Sequence, residues 1–127
     1  MVAYNFQARF ADAVASGEKR QTIRAPRKSN RHATPGDRLQ LYTGMRTKSC
    51  RKLREAVCHA SCVIRIEHDK AWTSGPEKHF MGDELERLAR SDGFTRWADM
   101  RDWFDNTHGL PFTGRLIRWS AGLKESS

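Results

Sequence analysis

The sequence predicts a small α+β barrel, with short turn-linked strands and helices set to the sides. Three observations carry this. Apolar residues alternate in short runs bounded by Gly, Pro and Asp turn signals, as in Arg38-Leu39-Gln40-Leu41 after Pro35-Gly36-Asp37. Three other segments repeat apolar residues at helical spacing. The 127 residues suffice for one domain with a real core, and neither a linker nor an internal repeat divides them.

Tyr4 to Phe6 suits a short strand. Phe6, Phe10, Ala13 and Val14 recur at helical spacing, which predicts a helix over Gln7 to Ser16, and Gly17 stands where a C′ glycine ends one. Thr22-Ile23-Arg24 reads as extended, and Pro26 bars a following helix. Arg27 to Thr34 is a basic loop closed by the Pro35-Gly36-Asp37 turn. Leu39 and Leu41 mark a half-buried strand that runs to Gly44. Met45 to Glu55 is basic and shows no period.

Val57 to Glu67, with Val63, Ile64 and Ile66, predicts a longer strand. Trp72 and Gly75-Pro76 mark a turn-linked strand, with Lys78 to Met81 as its partner. Asp83 and Glu86 have capping-box spacing ahead of the apolar face Leu85, Leu88 and Ala89. That helix stops near Ser91-Asp92-Gly93. Thr95 is placed to cap the next, whose face is Trp97, Met100, Trp103 and Phe104, ended by Gly109 and Pro111. Phe112 to Trp119 is a terminal strand, and the tail from residue 121 is expected to fray.

Composition narrows the function. No apolar run approaches the roughly 18 residues of a membrane span, so no membrane partner is expected. The first residues lack a basic n-region and a long apolar h-region, so no signal peptide is expected. Cys50, Cys58 and Cys62 are odd in number and follow no framework, which suits a reducing cytoplasmic compartment. Cys58-x-x-x-Cys62 with His59 and His68 matches no common zinc spacing, so neither a metal nor another cofactor is expected.

The formal charge of +8 is unevenly spread. From Lys19 to Arg54 there are 12 Lys/Arg and one acid, Asp37; elsewhere 11 bases face 14 acids. A basic segment in a slightly acidic chain is the footprint of a polyanion ligand. Arg27, Lys28, Arg31, Arg46, Lys48, Arg51 and Lys52 are the candidate nucleic-acid contacts; a solvated loop is the plainer alternative.

The densest chemistry lies in Gly17-Glu18-Lys19-Arg20-Gln21-Thr22-Ile23-Arg24. The pattern Gly17-x-Lys19-x-x-Thr22-x-Arg24 after a Phe-bearing helix resembles the signature of the ASCH domain family. Pro35-Gly36-Asp37, Leu41-Tyr42-Thr43-Gly44, Ser91-Asp92-Gly93-Phe94 and Gly109-Leu110-Pro111-Phe112 follow in the family's order. The resemblance implies a PUA-like β-barrel, related to modules that bind RNA. In the small bacterial members that this chain resembles, it implies hydrolysis of N4-acetylcytidine to cytidine and acetate; another branch is described as ribonuclease. The amidohydrolase branch uses a lysine, a threonine and a glutamate. The first two map onto Lys19 and Thr22, and the third falls at Asp92, a methylene shorter, with Glu86 as a fallback.

Physical chemistry sets conditions on that set. Thr22 would be the nucleophile and needs a proton acceptor and an oxyanion stabiliser. Thr22 and Arg24 share a face if the segment is extended, whereas Lys19, three residues before Thr22, needs the glycine turn to join them. Lys19 must be neutral to act as the base. Burial and Arg24 favour that, and Asp92 opposes it. If Asp92 pairs directly with Lys19, the lysine becomes an oxyanion stabiliser and Asp92 or a water the base. Arg24 does not deprotonate and would orient the site. Tyr42, Trp72, Phe94 and Trp119 could stack on a base, though core packing is their ordinary role; Tyr42 and Phe94 stand beside family-like motifs and are the candidates.

Three functions therefore compete: an amidohydrolase acting on N4-acetylcytidine or a related N-acylated pyrimidine, free or within RNA; an RNA-binding module without catalysis; and a ribonuclease using the same pocket. A free nucleoside leaves the basic segment unused.

Overall fold

The computed structural model describes residues 2–27, 31–75 and 77–120. In chain order these form β1 (Val2–Phe6), α1 (Ala8–Ser16), β2 (Gln21–Arg24), β3 (Arg38–Thr43), β4 (Arg51–Ile66), β5 (Ala71–Ser74), β6 (Glu77–Phe80), α2 (Asp83–Ser91), α3 (Trp97–Thr107) and β7 (Phe112–Trp119). The fold is α+β, seven strands with three helices. Lys28 and the tail from residue 121 lie outside the described residues.

The long strand β4 organises the sheet. Its first half pairs antiparallel with β3, Arg38 opposite Val57 and Thr43 opposite Arg51. Its second half pairs antiparallel with β7, from Cys58–Trp119 to Ile66–Phe112. A register shift between Cys58 and Ala60 marks the change of partner. β1 lies parallel to β3, β2 antiparallel to β7, and β5 and β6 extend the far edge of β4.

Among the described residues no backbone ladder joins β1 to β2, so the sheet does not close into a barrel by strand pairing. The two strands are nevertheless neighbours. Arg24 Nη2 donates to the Asn5 carbonyl at 2.7 Å, and Arg27 Nη2 to the Ala3 carbonyl at 3.3 Å. β1 and β2 terminate the path β1-β3-β4-β7-β2, so the sheet curls until one side chain spans its two ends. The edge carbonyls of β1 are thereby occupied by guanidinium groups, which leaves a gap at the seam.

Two apolar clusters fill the fold. Ile64, Ile66, Leu85, Leu88, Met100 and Phe104 pack α2 and α3 on one part of the sheet. Tyr4, Phe6, Val14, Leu39, Ile117 and Trp119 pack α1 on another. Phe10 touches both.

Three local expectations are corrected. Arg51 to Glu55, within a stretch without period, is strand, because β3 supplies its ladder partners while its side chains stay exposed or half-buried. Asp83 and Glu86 form no capping box: Gly82 is the N-cap of α2 and receives no side-chain bond. Thr95 does not cap α3, whose N-cap is Arg96. Glu86 instead accepts the Trp97 N–H at 3.0 Å, satisfying a donor at the start of α3 and tying the two helices together.

Candidate active site

A cavity of about 350 Å³ opens at the seam between β1 and β2. Asn5 and Phe6 form one wall, and Thr22 to Ala25 the opposite one. Asp92 and Phe94, just beyond α2, close the inner end with Lys19. Trp103 and Phe104 of α3, with His108 at its C-cap, also line it. The size is at the lower end of the range of small-molecule sites, and the mix of aromatic walls with a few polar groups is typical of them.

Gly17 brings Lys19 into place. It takes φ +87°, the left-handed conformation that ends α1, and its N–H bonds to Val14 O. The Lys19 N–H then bonds back to Ala13 O at 2.9 Å. This turn lets the buried Lys19 side chain share a cavity with Thr22 despite their odd spacing. Its Nζ donates to the Asp92 carbonyl at 2.5 Å and lies 3.4 Å from Asp92 Oδ1. The rings of Phe6 and Phe10 flank it at 5.7 and 5.0 Å. Burial lowers the Lys19 pKa below the ordinary lysine value, and Asp92 opposes the lowering.

Asp92 caps the C-terminus of α2, its N–H bonding to Leu88 O and Ala89 O. Burial raises its carboxyl pKa, and Lys19 and Gln21 oppose the rise. Gln21 Nε2 donates to Asp92 Oδ1 at 3.2 Å, and Gln21 Oε1 accepts from Arg118 Nε at 3.2 Å. Arginine can only donate, so this bond fixes which way round the amide lies. Oδ1 therefore serves Gln21 and Lys19 together. Gly93, at φ +97°, permits the approach: a Cβ there would lie 2.7 Å from the Phe10 ring and 3.2 Å from Lys19 Cδ.

Thr22 and Arg24 share a face, as extended spacing requires. Arg24 Nε donates to Thr22 Oγ1 at 2.8 Å. The guanidinium lies over the rings of Tyr4 and Phe6 at 5.0 and 4.9 Å. Burial lowers its pKa to about 10, which leaves it charged at neutral pH. No hydrogen bond joins Lys19 to Thr22 among the described residues; two pairs, Lys19–Asp92 and Arg24–Thr22, face one cavity.

Compared with family models, with curated proteins and with solved structures, the chain matches none.

The cavity thus gathers Lys19, Thr22, Asp92, Arg24 and Phe94. Tyr42 is not in its lining; it stands on β3 beside Asn5, one strand away. Glu86 is engaged with Trp97 and does not line the cavity either. Of the basic candidates, Arg31 pairs with Asp37 at 3.1 Å and Lys52 with Glu55. Arg27 bonds Ala3 and lies over Tyr4 at 4.8 Å. Arg46 and Lys48 in the turn between β3 and β4, and Arg51 at the start of β4, are exposed and make no ion pair among the described residues. That turn is tied to the cavity rim, because the Met45 N–H donates to Asn5 Oδ1 at 2.9 Å. Among the described residues no three His, Cys, Asp or Glu side chains come together in a way that could hold a metal.

The spacing of the sequence does not reveal Gln21, Arg118, Trp103 or His108 as site residues. Trp103 carried the signal of a helical core face, and His108 that of a helix end. Both signals are true of them: His108 is the C-cap of α3 and its ring lies 4.7 Å from Phe112. They also happen to face the seam.

Proposed function

We propose that this protein is an amidohydrolase of the ASCH type, with a PUA-like plan, that removes the acetyl group from N4-acetylcytidine or a related N-acylated pyrimidine. The observation that carries the reading is the placing of Thr22, held by a half-buried arginine, in the same aromatic cavity as a buried lysine–carboxylate pair.

In this reading Thr22 Oγ1 attacks the acetyl carbonyl carbon. Arg24 Nε, already donating to that oxygen, stabilises it as its proton leaves. The proton passes to the second carboxylate oxygen of Asp92, since Oδ1 is taken by Lys19 and Gln21. A carboxyl pKa raised by burial makes Asp92 a better base than an exposed aspartate. The Lys19 ammonium faces the developing oxyanion. Collapse breaks the C–N bond, the exocyclic nitrogen takes the proton, and water releases acetate from Thr22. The aromatic walls, Phe94 and Trp103 among them, suit a planar base.

The basic segment around the turn between β3 and β4 supports a second reading, an RNA-binding module without catalysis, because Arg46, Lys48 and Arg51 are exposed, make no ion pair among the described residues, and flank a turn tied to Asn5 of the cavity wall. One experiment separates the two. The protein is incubated with N4-acetylcytidine and with acetylated RNA, and acetate and strand length are followed by mass spectrometry. Acetate release from either substrate is expected, abolished in Thr22→Ala and Lys19→Ala variants that keep the wild-type circular dichroism. Salt-sensitive RNA binding without turnover would leave the module reading; strand scission would point to a ribonuclease.

A further inference from the structure

A second cleft, of about 340 Å³, adjoins the cavity on the far side of the Ala25–Pro26 peptide. Ala25 lines the cavity and Pro26 lines the cleft. Arg27, Arg31 and Arg115 line the cleft together with the hydroxyl residues Thr34 and Thr113, and no carboxylate is in its lining. Its positive charge is only partly compensated, by Asp37 just outside the lining, whose carboxylate pairs with Arg31 and accepts from the Thr34 hydroxyl.

Arg24 of β2 and Arg115 of β7 are directly opposed in register, which puts two like charges on one face of the ladder, an unfavourable cross-strand pair. Arg115 makes no ion pair among the described residues, and Arg31 meets one carboxylate, that of Asp37. His32, also in the lining, is held at both ring nitrogens: Nε2–H donates to Ala25 O at 2.8 Å, and Nδ1 shares a hydrogen bond with the Tyr4 hydroxyl at 2.9 Å. The Tyr4 oxygen accepts in turn from the Ala33 N–H at 3.1 Å. Burial lowers the His32 pKa against the opposing Ala25 hydrogen bond, and Arg27, Arg24 and Arg115 add to the lowering, so all three guanidinium fields bear on one ring. Guanidinium groups held around a hollow at the expense of mutual repulsion are relieved by an anion, and their forked donors match a phosphate.

We propose that this cleft binds a phosphate group of the ligand whose base enters the adjoining cavity, so that the substrate is a nucleotide, free or within a strand. The proposal rests on the base-binding reading of the cavity and adds to it the site that a bare nucleoside leaves empty. It also gives part of the basic segment, Arg27 and Arg31, a defined use.

Calorimetry at low salt tests it with four probes: cytidine, cytidine 5′-monophosphate, a short cytidine-containing RNA, and inorganic phosphate. At least one phosphorylated probe is expected to bind about tenfold or more tighter than cytidine, the worth of one charge-assisted contact. The advantage should shrink as salt is added. In Arg31→Gln and Arg115→Gln the ratio of the two affinities should fall towards one. Arg31 is exposed and outside the strands, so it serves if Arg115→Gln fails to fold. An advantage seen with the monophosphate assigns a free nucleotide; one seen with RNA alone assigns the phosphate of a strand. Cytidine binding with no gain from phosphate, or a gain that survives both substitutions, overturns the phosphate site and leaves the cavity reading intact. No cytidine binding, with phosphate or RNA binding that both substitutions weaken, supports the phosphate site and removes the cavity reading.

Discussion

Lys19 and Asp92 are 3% and 5% exposed, so each is the other's main compensation for leaving water. Removing one partner of such a pair costs about 3–5 kcal/mol, because the other charge is left buried and alone. Lys19→Met is therefore expected to be strongly destabilised, in a pH-dependent way. The Asp92 carboxyl has a folded pKa raised above its unfolded value, and loss of Lys19 raises it further. For a raised carboxyl, the stability kept by its neutral form is fully present below the unfolded value of about 3.9. It is lost as pH rises through the folded value. The deficit of Lys19→Met against the wild type in thermal midpoint should widen between about pH 4 and about pH 8. An equal deficit at both would show that Asp92 does not depend on Lys19. The spacing of Lys19, Thr22 and Arg24 is legible in the sequence because one turn and one strand place all three. The partners that orient them are not: Arg118 meets Gln21 from 97 residues away, and only the register of β2 on β7 brings them together.

At the scale of elements, strands and helices follow the apolar periods, and the misreadings fall where tertiary partners take over local signals. Glu86 has the spacing of a capping box on its own helix but serves the next one. The basic first half of β4 lacks a pattern because β3, rather than a buried face, holds it extended. The junction between α2 and α3 carries the site, since Asp92, Gly93 and Phe94 stand there. Gly93 is required twice over, by its φ of +97° and by the Phe10 ring that a Cβ would meet at 2.7 Å. Gly109, at φ +83° with nothing near its Cβ position, shares only the first requirement. Gly109→Ala should cost about 1–2 kcal/mol, the strain of an L-residue in the left-handed region. Gly93→Ala should cost about 1–3 kcal/mol more, from overpacking against Phe10. Urea midpoints measure both. If the protein is the proposed amidohydrolase, Gly93→Ala should also lower acetate release, because any shift of residue 93 moves Asp92 from Lys19. Equal costs for the two variants would mean that Phe10 yields freely.

The whole molecule is a sheet curled until its two ends face each other across a seam that backbone pairing does not close. Arg24 is the clasp. One fork bonds Thr22 on β2 and the Asn5 carbonyl on β1, and its plane lies on Tyr4 and Phe6. The same residue thus holds the cavity's walls together and touches its candidate nucleophile, which makes the integrity of the sheet and the geometry of the site one property. Lysine keeps the charge but offers a single point of contact and no plane to stack, so it cannot make both bonds in this geometry. Arg24→Lys should therefore lose about 1.5–3 kcal/mol, the worth of a hydrogen bond to a charged group. The loss should be local: amide hydrogens of β1 and β2 should exchange faster, while those of β4 and β7 in the middle of the sheet keep their protection. Hydrogen exchange followed by mass spectrometry distinguishes this from general destabilisation. Uniformly faster exchange across all strands would mean that the seam is not held by Arg24, and that the cavity owes its shape to the two apolar clusters alone.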